Sequence, residues 1–113
     1  RALARRSYGF ENEAIEIRGL SLHIPTRRVT VSARHVELTA SEYALLETLM
    51  LRADRVLTRR YLEERLFGTK ENLSNALDVH MGNLRRKIGD GFVRTVRGVG
   101  YVIDTVPVQK AAG

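Results

Sequence analysis

Five residues come closest in type to catalytic or metal-binding groups: His23, His35 and His80, and the pair Thr39 and Glu42. Neither set has the spacing that such chemistry needs. The histidines are scattered with no i,i+4 pair, the chain contains no cysteine, and no glycine-rich phosphate loop follows a strand. Thr39 and Glu42 stand three apart before an apolar run, which is the capping box of a helix rather than an acid–base pair. His80 falls at the edge of an apolar helical stripe and reads as a packed residue. No catalysis, metal or cofactor is therefore expected.

A different chemistry is carried by amides and guanidinium groups. In "SNALDVHMGNLRRKIG", residues Ser74 to Gly89, a helical projection of about 100° per residue puts Leu77, Met81, Leu84 and Ile88 on one stripe. Opposite lie Asn75, Val79, Gly82 and Arg86, flanked by Asn83 on one side and by Asp78 and Arg85 on the other. An ordinary solvated face would carry Glu–Lys pairs and would avoid a mid-helix glycine, which costs about 1 kcal/mol relative to alanine. A DNA major groove accounts for each departure: asparagine bonds an adenine edge, valine packs on a thymine methyl, glycine permits close approach, and arginine pairs with guanine or phosphate. From this helix alone a solvated basic face stands equally well, so its surroundings must decide.

The surroundings are one small domain. With 113 residues, 43% of them hydrophobic, the chain is long enough for a single modest core. The formal net charge is +6 with a pI near 10.3, which favours a polyanionic partner. Basic residues outnumber acids nine to five over residues 58–101, against nine to seven before them. The absence of cysteine, of a long apolar run and of an apolar signal segment makes a cytoplasmic location, with no membrane partner, the simplest expectation.

Residues 1–13 read as a linker, 14–106 as the folded domain and 107–113 as a frayed tail. Period-two runs at Ile15–Ile17, Leu20–Ile24, Val29–Val31 and Val36–Leu38, punctuated by Gly19, Pro25 and Ser32, predict four short antiparallel strands. A first helix is predicted from Ala40, burying Tyr43, Leu46, Leu49 and Met50. Thr58 is predicted to cap a second, ending at Gly68, and Ser74 a third over about 74–88. "FVRTVR" and "YVID" then pair as a hairpin across "GVG", in which Gly98 and Gly100 allow a positive φ or a close backbone approach.

The successive stretches "LTASEYALLETLM", "VLTRRYLEERLFG", "ALDVHMGNLRRKIG" and "RTVRGVGYVI" resemble, in order and spacing, the DNA-binding effector domain of OmpR/PhoB-type response regulators. The resemblance covers about residues 14–104. It implies an α+β fold: a winged helix-turn-helix with an N-terminal four-stranded antiparallel sheet, three helices and a C-terminal β-hairpin wing. It further implies sequence-specific binding of double-stranded DNA, with the helix at about 74–88 in the major groove and the wing at about 92–104 on the minor groove or phosphates.

By the same resemblance Asn75, Val79, Asn83 and Arg86 face bases or nearby phosphates, Arg85 faces the DNA backbone, and Thr95 and Arg97 reach phosphate and minor groove; Gly82 joins this DNA-binding set as the point of close approach. For Tyr101 a backbone hydrogen bond and packing are both open, with packing favoured; Arg94 is solvated or on phosphate. The loop Gly68, Thr69, Lys70, Glu71 and Asn72 corresponds to a segment that engages RNA polymerase in relatives, and reads equally as a plain connector. Direct-repeat half-sites, a dimer on DNA, and a receiver domain answering to a sensor kinase in a phosphorelay complete the implied setting. Gly82 and Asn83 stand where many members carry a positive residue, which implies a shallower salt dependence. The rival is a winged-helix protein-interaction module, since a fold alone does not fix function.

Overall fold

The computed structural model describes residues 14–67 and 76–106. Asn75, the loop Gly68–Asn72, the Ser74 cap, the linker 1–13 and the tail 107–113 lie outside the described residues.

Apolar alternation builds the first layer. Strands β1 (Ala14–Ile17), β2 (Leu20–His23), β3 (Arg28–Val31) and β4 (Arg34–Val36) form an antiparallel sheet in that order. Ile15 pairs with Leu22, Ile17 with Leu20 and Leu22 with Val29, so all five side chains share one buried face. Two-residue reversals join β1 to β2 and β3 to β4, through Arg18 (φ 49°) and Gly19 (φ 89°), and through Ser32 (φ 53°) and Ala33 (φ 69°). Positive φ at both positions is the hairpin turn that matches strand twist. The second of them shifts β4: because Ala33 takes up the left-handed conformation, pairing resumes at Arg34 opposite Val31 and ends at Val36, two residues before the end of the predicted strand.

Helix α1 (Ala40–Leu51) opens with the predicted capping box: the Glu42 amide donates to Thr39 Oγ1 at 3.2 Å, and the Thr39 amide donates to Glu42 Oε1 at 3.0 Å. Tyr43, Leu46, Leu49 and Met50 are buried as predicted, and so are Leu45 and Thr48. Burial on more than one side follows from position, since α1 touches β1, two further helices and the terminal hairpin. Thr48 is satisfied there by donating to the Ala44 carbonyl at 2.8 Å.

A two-residue strand that periodicity does not reveal, β5 (Leu57–Thr58), leads directly into α2 (Arg59–Phe67). Thr58 still caps that helix, its hydroxyl accepting from the Tyr61 amide at 3.0 Å. Helix α3 (Ala76–Ile88) buries Leu77, Met81, Leu84 and Ile88, the stripe read from the sequence. Each such side chain contributes about 2 kcal/mol by leaving water. The hairpin β6 (Val93–Val96) and β7 (Gly100–Ile103) completes a second sheet in the order β5-β7-β6, leaving β6 at its edge.

The wing's two glycines do different things. Gly98 turns the chain with φ 77°, closed by the Val99 amide donating to the Val96 carbonyl at 2.9 Å. Gly100 sits opposite Thr58 so closely that a Cβ there would collide with the Leu57 carbonyl. One glycine supplies conformation and the other supplies clearance.

Candidate nucleic-acid interface

Burying one stripe of α3 leaves the opposite side turned outward. Val79 is 51% exposed there, so its methyl groups are open to a partner. Gly82 is exposed one turn further on, and a Cβ placed on it would meet nothing within 4 Å. Internal packing therefore does not require glycine at this position, and the helix is weaker for having it.

Asn83 and Arg86 form a unit beside that gap. Both terminal guanidinium nitrogens of Arg86 donate to Asn83 Oδ1, at 3.0 and 3.1 Å. A guanidinium has no acceptor, so the amide oxygen must face it and the Asn83 NH₂ is turned away.

The remaining bases of the last turns are engaged inside the domain. Lys87 Nζ donates to Glu42 Oε1 at 2.7 Å, tying the end of α3 to the start of α1. Burial of Glu42 works against its charge, but the hydrogen bonds from Lys87 and Thr39 prevail and hold its carboxyl below the ordinary range. Arg85, expected toward the DNA backbone, is directed into the domain instead. Its Nη2 donates to the Val93 carbonyl at 2.9 Å and to Thr95 Oγ1 at 2.7 Å, while its Cζ lies 5.6 Å from the centre of the Tyr101 ring. The physical reason is proximity: β6 runs beside this turn of α3 and offers two acceptors that need no partner from outside. Thr95 is thereby fixed from behind, although its residue remains exposed.

Tyr101 packs, which was the favoured of its two readings. It is 8% exposed in β7, so it is a core residue rather than a surface contact, and its hydroxyl reaches only toward Asp78 Oδ1 at 3.4 Å. Arg97 stands at the hairpin tip, exposed and without a hydrogen bond or ion pair to any described residue. Arg94 is exposed, as one of its two readings had it, and it also has a partner that the sequence did not suggest. It donates to both carboxylate oxygens of Asp104, at 2.8 and 3.0 Å, and this hydrogen-bonded pairing holds the Asp104 carboxyl below its usual range. His80 is packed, its ring 5.7 Å from that of Phe67.

Sequence reasoning missed Arg59. Its Nη1 donates to Asp78 Oδ1 at 2.8 Å, joining the start of α2 to the first turn of α3 and holding the Asp78 carboxyl low. This ion pair covers the acidic charge that would otherwise stand alone beside the exposed face. Arg59, Thr95, Arg97 and Tyr101 share the lining of a shallow cleft of about 240 Å³ between α2 and the wing. The signal was available: a cation in the first turn of a helix opposes the dipole, so it needs a tertiary reason to be there.

Among the described residues no group of three His, Cys, Asp or Glu side chains could hold a metal ion, and no helix is long and apolar enough to cross a membrane. What the surface offers is an exposed valine, a cleared glycine, an amide with its donors outward and two accessible guanidinium groups, set on a helix and an adjoining hairpin.

Residues 33–103 match the family described as "Transcriptional regulatory protein, C terminal". The transcriptional regulatory protein QseB of Haemophilus influenzae is 47% identical over 106 residues, covering 93% of this chain and 48% of QseB. The response regulator protein PmrA of Pseudomonas aeruginosa is 45% identical over 105 residues, covering 92% of this chain and 48% of PmrA. The chain thus spans about half the length of these relatives. Among solved structures, the DNA-binding domain of CpxR from Escherichia coli is 27% identical with a TM-score of 0.72, covering 84% of this chain and all of that one. The RstA DNA-binding domain of Klebsiella pneumoniae, crystallised with the RstA box, shares the fold at 23% identity and a TM-score of 0.75, covering 82% of this chain and 98% of that one. With the winged helix-turn-helix architecture and the family match in agreement, this chain belongs to the C-terminal family of transcriptional regulatory proteins, in its OmpR/PhoB type.

Proposed function

We propose that the chain binds double-stranded DNA sequence-specifically, as the effector domain of a two-component response regulator. Helix α3 enters the major groove, and the wing meets the minor groove or phosphates. Val79 packs on a thymine methyl, Gly82 lets the backbone approach, and Asn83 and Arg86, with Asn75 before them, reach base edges or nearby phosphates. Thr95 and Arg97 contact the backbone from the wing, and Arg85 and Tyr101 support them from behind. The domain carries out no catalysis and takes no cofactor.

The larger setting belongs to the same proposal: direct-repeat half-sites occupied by a dimer, a receiver domain controlled by a sensor kinase in the cytoplasm, and RNA polymerase meeting the loop Gly68–Asn72. The relatives support it: PmrA is a response regulator protein and QseB a transcriptional regulatory protein, each roughly twice the length of this chain.

The observation that carries the reading is the empty space over Gly82 on an exposed face that the fold does not use. A protein-interaction surface would favour a contiguous apolar patch, whereas Val79 is flanked by amide and guanidinium groups. Selection from a pool of random duplexes, with sequencing of the retained fraction, tests it. One enriched motif is expected at moderate salt, and no enrichment would sink the sequence-specific claim. Repeating the selection with Asn83→Ala should relax preference at one base position, where discrimination of about 1–3 kcal/mol is lost.

A further inference from the structure

Arg18 opens the β1–β2 turn, yet its side chain leaves its own sheet. Nε donates to the Asp104 carbonyl at 3.0 Å, Nη1 to the Gly91 carbonyl at 3.1 Å and Nη2 to the Phe92 carbonyl at 3.3 Å. The Cζ lies 5.0 Å from the centre of the Phe92 ring. Gly91 and Phe92 lead into β6, and Asp104 leaves β7. A single guanidinium therefore clasps both roots of the hairpin from the far sheet.

The hydrogen-bond partners are three main-chain carbonyls, so the bonds fix backbone position rather than pair side-chain charges. Only a rigid, planar fork of donors can do this; an ammonium is a point charge on a flexible stem. The clasp matters most for β6. The inner strand β7 has β5 beside it, and the Asp54 amide also donates to the Ile103 carbonyl at 2.9 Å. The edge strand β6 has only β7 on one side, with Arg85 on the Val93 carbonyl and Arg18 on the carbonyls just before it.

We infer that Arg18 is a positioning residue for the DNA-contacting wing: its clasp sets the angle of β6 against α3, so that Thr95 and Arg97 meet a duplex together with Asn83 and Arg86. This rests on the proposed DNA binding. A four-residue strand is about 13 Å long, so a tilt of about 10° at the root moves the tip by about 2 Å. That displacement is enough to break a hydrogen bond.

The test compares Arg18→Asn and Arg18→Lys in the full 113-residue chain. Asparagine accepts φ 49° more readily than most residues, so the turn keeps its shape while the fork is lost. Lysine keeps the charge and loses the fork. Both variants are expected to keep the native circular dichroism and the motif selected by the parent. In both, amide exchange across Val93–Val96 should rise about tenfold, and DNA affinity should fall by a similar factor at every site, as for the loss of charge-assisted hydrogen bonds.

Native exchange rates in β6 of either variant would overturn the clasp. Faster exchange with unchanged affinity would overturn its role in binding, and so would parental affinity in Arg18→Lys alone, since charge would then suffice. If the parent itself selects no duplex, the DNA reading fails and takes the role in binding with it, while the exchange measurement still decides whether the clasp holds the wing.

Discussion

Two basic regions lie side by side in this domain, the outer face of α3 and the root of the wing, and they are held in opposite ways. At the root, Arg18, Arg85 and Arg94 all end on acceptors within the protein. Among the described residues, Arg86 on the face bonds only its neighbour Asn83, and Arg97 at the wing tip bonds none. Residue type does not separate these arginines; the acceptors around them do. The glycines divide in the same way, with Gly100 pressed against Leu57 and Gly82 facing open space. Where the fold uses a residue fully it is structural, and where an unfavourable residue goes unused it is available to a partner.

Gly100→Ala breaks the comparison from the structural side and should have the largest effect. The added methyl has only backbone to displace, so a loss of about 3 kcal/mol is expected in a denaturant melt. A cost below about 0.5 kcal/mol would mean that β5 and β7 do not approach so closely.

Next comes Glu42→Gln, expected to cost about 1–2 kcal/mol at neutral pH by removing a charged partner from Lys87. It also tests the acid limb of stability. Glu42, Asp78 and Asp104 all have folded pKa values below their unfolded ones. Their stabilisation is present above the unfolded value, near 4, and is lost as pH falls through the folded value. The thermal midpoint should hold steady down to about pH 5 and fall below it, with a smaller fall in the variant.

Gly82→Ala sharpens the comparison from the other side. It should raise stability by about 1 kcal/mol, because helix propensity improves and nothing is in the way, while weakening DNA binding. Unchanged or tighter binding would remove the case for close approach. The smallest effect is the most selective: Arg97→Ala should lower the slope of log K against log salt by about 0.9 across all sequences, as for one lost phosphate contact. Arg94→Ala should leave that slope alone, and a matching drop would show that the ion pair with Asp104 opens on DNA.

Local patterns in the sequence carried much of this. The Thr39–Glu42 cap and the Leu77–Ile88 stripe are encoded within one or a few turns, so spacing alone reveals them. The two-residue β5 does not have enough chain to show a period, and it exists only because β7 arrives from more than forty positions away. Ala33 was not recognisable as a turn residue, since alanine seldom takes positive φ, and β4 was predicted two residues late for that reason. Of the interface, Val79 and Gly82 stood out as residues out of keeping with a solvated helix face, whereas Arg97 was placed only by the family resemblance. The internal engagement of Arg85 and Arg94 was not, because an arginine looks the same in sequence whether it meets a carbonyl or a phosphate.

The clasp at Arg18 also bears on the order in which the molecule assembles. Its bonds join residues 73 to 86 positions apart, so nothing is gained from them until both sheets are in place, and the entropy of closing so long a loop must be met first. The hairpin can zip locally at any time, but its final pose belongs to the last stage of folding. In unfolding the same seam is the first to open, so the wing should lose its orientation before the core of α1 and α3 gives way.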